Sequence, residues 1–127
     1  MGVHGIIIPR KESAQINEVA IKASAGSISN MNICREIDLE KTIKIAKENG
    51  LIVVGCSEKS KKNIHEIKLN KPVLIIIGSE KNGISKNLIK ICDEIGKIPI
   101  YGKTQSLNAS VAAGIIIFEA VKQRQIN

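Results

Sequence analysis

The sequence predicts an α/β domain, with a mainly parallel sheet flanked by helices. Three observations predict it. Strand-like apolar runs alternate with helical patterns along all 127 residues, the order that produces a parallel sheet. Two of those runs, Leu51-Ile52-Val53-Val54-Gly55-Cys56 and Val73-Leu74-Ile75-Ile76-Ile77, are apolar almost throughout, as strands covered on both faces are. Polar residues gather where such runs give way to helices, at 78–85 and 102–110, which is where α/β proteins place their chemistry. The length fits one domain, residues 1–127, and suffices to bury a core without staples.

Each element has a local reason. Gly5-Ile6-Ile7-Ile8-Pro9 reads as a strand buried on both faces and ended by proline. After the charged Arg10-Lys11-Glu12, Ser13 caps a helix carrying Ile16, Val19, Ala20 and Ala23, and Gly26 stops it. Met31 to Arg35 is a weaker strand. Asp38 is the N-cap of the next helix, with Glu40 favourable in its first turn. Its apolar face is Leu39, Ile43 and Ala46, its lysines line the other side, and Asn49-Gly50 ends it. Leu51–Cys56 is the clearest buried strand. Ser57 to Asn70 is lysine-rich and polar, with a short helical turn around Asn63–Ile67. Lys71-Pro72 opens the strand Val73–Ile77, and the loop 78–84 then leads to a helix from about Ser85 to Cys92.

The last strand and helix are the most informative part. Ile98-Pro99-Ile100 is a short strand that leads through a polar segment into an amphipathic helix reaching about Arg124. Ser106 is the expected N-cap. Leu107, Val111, Gly114, Ile115, Phe118 and Val121 repeat at helical spacing and predict the buried face. Ala109, Ala112, Ala113 and Gly114 are small. Glycine inside a helix costs roughly 1 kcal/mol against alanine, so Gly114 predicts close approach of another backbone. Tyr101 is expected to pack at the strand end rather than to serve as a stacking platform.

Composition narrows the function classes. The net charge is +7; it fits both an AT-rich genome, which favours Ile, Lys and Asn, and an acidic partner such as RNA. Aromatic residues make up 2% of the chain, which argues against a stacking platform of the RRM type. Cys34, Cys56 and Cys92 are odd in number and widely spaced, so neither a disulfide framework nor a zinc ribbon is expected. Free thiols fit a reducing, cytoplasmic setting. The first residues lack the pattern of a signal peptide, and no apolar run approaches the ~20 residues needed to span a bilayer.

Several familiar sites are excluded. Gly78 and Gly83 are five apart, but Ile84-Ser85 follows them where a P-loop needs Lys-Ser/Thr. No G-x-G-x-x-G follows a strand. His4 and His65 stand without partners at metal-ligand spacing, so no metal is expected. Ser106 lacks the companions of a hydrolase nucleophile. Lys59-Ser60-Lys61-Lys62 reads as a solvated loop able to contribute phosphate contacts.

Ile98-Pro99-Ile100-x-Gly102 followed by Ser106-Leu107-Asn108-x-Ser110-Val111-Ala112-Ala113-Gly114 resembles the third motif of the SpoU (TrmH) RNA 2′-O-ribose methyltransferases, of the SPOUT superfamily. Ala109 stands where valine is common. Ile77-Gly78-Ser79-Glu80-Lys81-Asn82-Gly83-Ile84 is similar to the second motif, Gly-x-Glu-x-x-Gly. Residues 2–9, 13–14 and 22–26 look like the family's central region, most of all in the branch that methylates guanosine ribose in large-subunit rRNA. The likeness covers essentially the whole chain. It implies an α/β fold with a C-terminal trefoil knot, S-adenosylmethionine as cofactor, rRNA or tRNA as substrate, and a homodimer through the knot helices, without metal or membrane. Matched by motif, Gly78, Ile98 and Leu107 would hold the cofactor, with Val54, Gly55 and Cys56 as weaker positions. Glu80, Ser106 and Asn108 match polar active-site positions.

The chain departs from the family in one respect. The first motif, an Asn followed by Asn-x-Gly-Ala-x-x-Arg, would precede Gly2, so the resemblance describes an N-terminally truncated domain. That segment would bring a strand, a helix and an arginine that helps activate the ribose hydroxyl. Three expectations stay open: an RNA 2′-O-methyltransferase, a catalytically inactive dimer that binds S-adenosylmethionine or RNA, and a piece of a longer protein.

Overall fold

A computed structural model describes residues 1–10 and 27–126. The helix expected from Ser13 to Gly26 lies outside the described residues. The chain divides into two compact units, Gly2–Leu39 and Glu40–Asn127, taken here in turn.

The smaller unit holds β1 (Ile6–Pro9) and β2 (Ile33–Glu36), paired in parallel with Ile6 opposite Ile33 and Pro9 opposite Glu36. A 3-10 turn, Ser27–Asn30, precedes β2. The pair is closed at one end by Ile6 N–H on the Asn32 carbonyl (2.8 Å) and at the other by Arg10 N–H on the Glu36 carbonyl (3.1 Å). β1 was expected to be buried on both faces. It is a strand, but Ile6 is 42% and Ile7 38% exposed, so neither face is fully covered.

The larger unit carries the core. Helix α1 (Leu39–Glu48) buries Ile43. It ends as Asn49-Gly50 predicts: Gly50 takes φ +85, its N–H reaches the Lys47 carbonyl (3.0 Å), and Leu51 N–H reaches the Ala46 carbonyl (3.0 Å). Those two bonds are the Schellman stop that glycine allows. Three parallel strands follow, β3 (Ile52–Cys56), β4 (Val73–Ile77) and β5 (Glu94–Gly96), in the order β4-β3-β5. Between β4 and β5 lies α2 (Lys86–Ile91), capped by the Ser85 hydroxyl on Leu88 N–H (3.4 Å).

The last strand sits earlier than expected. β5 is Glu94–Gly96, and Ile98–Ile100 has no regular structure. Asp93 fixes that register: its N–H donates to the Val53 carbonyl (2.8 Å) and its carboxylate accepts from Val53 N–H (2.7 Å). Lys47 adds an ion pair at 3.1 Å. Gly96 must be glycine, since a Cβ there would lie 2.7 Å from Ile67 Cδ1 and 3.1 Å from Ile64 Cα.

The core joins Val54, Ile64, Ile67, Leu69, Ile116 and Ala120. Three of these come from the stretch that reads as a polar loop. Ile64–Glu66 is a 3-10 turn, and it aims Ile64, Ile67 and Leu69 inward beneath a lysine-rich surface.

Helix α3 (Ala109–Ile126) packs on the sheet with Ala112, Ile116 and Ala120, not with the face predicted from Leu107, Val111, Gly114, Ile115, Phe118 and Val121. Val111, Ile115 and Phe118 are instead exposed, Phe118 by 60%. The helix is apolar on both sides, and its alanines let it lie closer to the sheet. A Cβ at Gly114 would meet nothing within 4 Å among the described residues, so none of them makes the expected close approach. The far end of α3 is tied down. Gln123 accepts from Leu69 N–H (2.7 Å) and donates to the Ile67 carbonyl (3.0 Å), and Arg124 donates to the Lys71 carbonyl (3.1 Å).

Candidate functional site

The site forms where β3, β4 and β5 end and their following loops converge. β4 runs directly into Gly78, and the next turn closes on itself. Ser79 N–H donates to the Gly83 carbonyl (3.2 Å), Gly83 N–H to the Ser79 carbonyl (2.9 Å), and Asn82 N–H to Ser79 Oγ (3.1 Å). Gly83 adopts φ +67, which favours glycine. Gly78 is required by space: a Cβ there would sit 2.5 Å from Ile84 N and 2.7 Å from Gly83 Cα.

This turn presents Glu80 to the start of α3. Glu80 Oε1 accepts from Asn108 Nδ2 at 2.7 Å and lies 3.5 Å from Ala109 N. Asn108 Oδ1 in turn accepts from Ser110 N–H at 2.9 Å and from the Ser110 hydroxyl. Asn108 is therefore the N-cap of α3, and the Asn108 carbonyl takes the first helical bond, from Ala112 N–H (2.9 Å). This corrects the assignment of the cap to Ser106. Both residue types suit the position, and Glu80, 28 residues away, selects Asn108. A carboxylate at a helix N-terminus is also favoured by the helix dipole. Ser106 is exposed and its hydroxyl has no partner among the described residues.

The other expected residues are distributed as follows. Ile98 is half-buried against the core and anchors the segment leaving β5. Leu107 is half-buried next to Asn108. Gly55 is buried, with Cys92 Sγ 3.1 Å from where its Cβ would be. Half-buried Cys56 ends β3; burial, then the Glu58 carboxylate, pushes its thiol pKa up, so it is a neutral thiol. Val54 is fully buried in the core, and its side chain is committed to packing. Ser110, one of the polar residues expected at this strand-to-helix junction, bonds to Asn108, and the Asn-x-Ser spacing is that of a side chain reaching backbone two residues on. Tyr101 does not pack: it is 97% exposed.

Charge is uneven at this end. Lys59, Lys61, Lys81 and Lys103 are all exposed on the loops after β3, β4 and β5, against Glu58 and Glu80. A groove of about 620 Å³ opens elsewhere, at the amino end of β3, between Lys47, Leu51, Ile52, Lys62, Lys68 and Lys71. It contains none of the candidate residues.

The SpoU rRNA Methylase family model matches residues 1–118. The chain belongs to this family. An uncharacterised tRNA/rRNA methyltransferase of Mycobacterium sp. (strain KMS) is 38% identical over 124 residues, 98% of this chain and 40% of that protein. The 23S rRNA (guanosine-2′-O-)-methyltransferase RlmB of Photorhabdus laumondii is 37% identical over 123 residues, 97% of this chain and 50% of its own length. The SpoU chain thus spans about half the length of the curated relatives it matches. Among solved structures, the A. aeolicus TrmH/SpoU tRNA modifying enzyme aligns with a TM-score of 0.87 and 31% identity, over 98% of this chain and 63% of that one. AviRb of Streptomyces viridochromogenes, in complex with AdoMet, aligns with a TM-score of 0.88 and 27% identity, over 99% of this chain and 52% of that one. The α/β fold with parallel strands and flanking helices is shared with these enzymes. No described helix is long and apolar enough to cross a membrane.

Proposed function

We propose that this SpoU chain is the cofactor-binding and catalytic-pocket domain of an RNA ribose 2′-O-methyltransferase that acts on rRNA or tRNA in the cytoplasm. The observation that carries the reading is the joining of the second-motif loop to the third-motif helix through Glu80, Asn108 and Ser110. The residues fit S-adenosylmethionine. Gly78 lets the 83–84 backbone fold back against the end of β4 and so sets the shape of the turn, and half-buried Ile98 and Leu107 offer apolar surface on either side of the polar segment. Gly55 and Cys56 contribute the end of β3, while Val54 supports them from the core. The likeness in fold to the TrmH and AviRb enzymes supports a trefoil knot in the C-terminal part.

Bound S-adenosylmethionine supplies a methyl group on a sulfonium sulfur, which is a good leaving group. The protein's task lies on the other side of the reaction. A ribose 2′-OH is a weak nucleophile near pH 7 and needs alignment and polarisation. The Ser106 hydroxyl is free to contact the ribose. Glu80 spends Oε1 on Asn108, and its Oε2, which has no partner among the described residues, can accept a hydrogen bond from a hydroxyl. Asn108 holds that carboxylate in place and starts the helix. The exposed lysines around the site would meet RNA phosphates.

A homodimer through α3 belongs to the same reading. Val111, Ile115 and Phe118 form an exposed apolar stripe beside Gly114, which has open space over it. Sedimentation should show a dimer, and Phe118→Asp should shift it to monomer.

The test is calorimetric titration with S-adenosylmethionine, followed by methyl transfer from labelled cofactor to rRNA and tRNA. Saturable binding, abolished by Leu107→Arg, is expected. A folded dimer that binds no cofactor would refute the reading. A binding-only protein would instead show saturable cofactor binding without turnover.

A further inference from the structure

We infer that Tyr101 is a stacking platform for a nucleobase of the RNA, and so a positioning residue for the nucleotide brought to this site. The inference rests on the methyltransferase reading above and adds an RNA contact to it.

Four observations carry it. The Tyr101 ring is 97% exposed, with neither face nor hydroxyl engaged among the described residues. It sits within a run of six exposed residues, 101–106, held at either end by half-buried Ile100 and Leu107. That run leads directly into the Glu80–Asn108–Ser110 network, so the ring stands on the segment that frames the pocket. Third, Lys59, Lys61, Lys81 and Lys103 lie exposed on the loops that follow β3, β4 and β5, the last of them two residues from Tyr101. A cationic surface that follows the phosphates, combined with an aromatic face on which a base lies flat, is the usual means of holding single-stranded nucleic acid. Finally, the only other aromatic residue, Phe118, lies ten residues into α3 on the exposed apolar stripe, so no second ring competes for the role at this end. The scarcity of aromatics excludes a broad platform of several rings but leaves room for a single stacked base.

The chain is built for a direct test. It has one tyrosine and no tryptophan, so intrinsic fluorescence reports Tyr101 alone. The full chain, saturated with S-adenosylmethionine, is titrated with a short single-stranded RNA of mixed sequence and with its abasic ribose-phosphate counterpart. Affinities are read separately from the anisotropy of a dye on the RNA. The base-bearing RNA should quench tyrosine emission and the abasic one should not. Tyr101→Phe should bind RNA like the parent. Tyr101→Ala should raise the RNA dissociation constant by about 5- to 150-fold, the range of one base–aromatic stack. Its cofactor affinity and the salt dependence of RNA binding should be unchanged, since no phosphate contact is lost. Equal RNA affinity in Tyr101→Ala, or equal quenching by both RNAs, would overturn the inference and leave the methyltransferase reading standing. Failure of both RNAs to bind a cofactor-saturated protein would overturn both.

Discussion

Asn108 performs two tasks that substitution can separate. Its Oδ1 caps α3 on Ser110 N–H, and its Nδ2 donates to Glu80 at 2.7 Å. Asn108→Ala removes both. Loss of an N-cap costs about 1 kcal/mol. Loss of the exposed hydrogen bond to a carboxylate adds about 1 kcal/mol, the low end for a charged partner because water replaces it. Unfolding entropy of about 2.1 cal/mol/K per residue then converts about 2 kcal/mol into a fall in melting temperature of about 7 °C. Asn108→Asp keeps the cap and places a second carboxylate against Glu80. At that separation two charges in water-like surroundings repel by about 1 to 1.5 kcal/mol, and the bond to Glu80 is lost as well, so at pH 7 the aspartate variant should melt at or slightly below the alanine variant. Its deficit should shrink on acidification towards pH 4, as the pair takes up a proton. Differential scanning calorimetry of the three proteins across that range is the assay. An alanine variant that melts with the parent, or an aspartate deficit independent of pH, would refute the account of the Glu80–Asn108 link.

Three further outcomes are expected. Gly78→Ala should displace the 79–83 turn and weaken S-adenosylmethionine binding at least tenfold by calorimetry, because its Cβ would sit 2.5 Å from Ile84 N. The Val53 N–H, and after it Lys47, holds the Asp93 carboxyl below the usual carboxylate range. Its contribution is therefore present above about pH 4 and is lost as pH falls through its folded value, and Asp93→Asn should flatten that part of a urea-derived pH–stability profile. Gln123→Ala should lower stability by about 1 to 2 kcal/mol in urea denaturation, since it strips partners from Leu69 N–H and the Ile67 carbonyl.

Much of this fold can be read from residue order. The runs Leu51–Cys56 and Val73–Ile77 declare themselves because nothing but a covered strand tolerates them, and Gly50 and Ser85 mark helix ends by chemistry that needs no tertiary partner. The readings that failed all depended on contacts distant in sequence. Helix α3 is apolar on two sides, so periodicity could not tell Ala112, Ile116 and Ala120 from Val111, Ile115 and Phe118. The sheet selected the smaller set because it lets the helix come closer. Ser106 and Asn108 are equivalent caps until Glu80 arrives from another loop. The true β5 begins with acidic Glu94, directly after Asp93, which Val53 holds, and no local pattern reveals that link. Ile64, Ile67 and Leu69 were hidden among lysines, though their spacing alone hints at one inward face. Within the site, Gly78, Glu80 and Asn108 were legible through motif. The network linking them through Ser110 required the structure.

Helix α3 is fastened at both ends. Asn108 meets Glu80 at one end of the sheet, and Gln123 grips Ile67 and Leu69 at the other. The two attachments are fifteen residues apart, about 22 Å at the helical rise. Inserting or deleting one residue between them would turn one end by about 100° and slide it about 1.5 Å, which neither attachment could absorb. The helix therefore acts as a ruler: its outward face can vary in composition, while its length is set by the distance between the Glu80 turn and the lysine-rich turn.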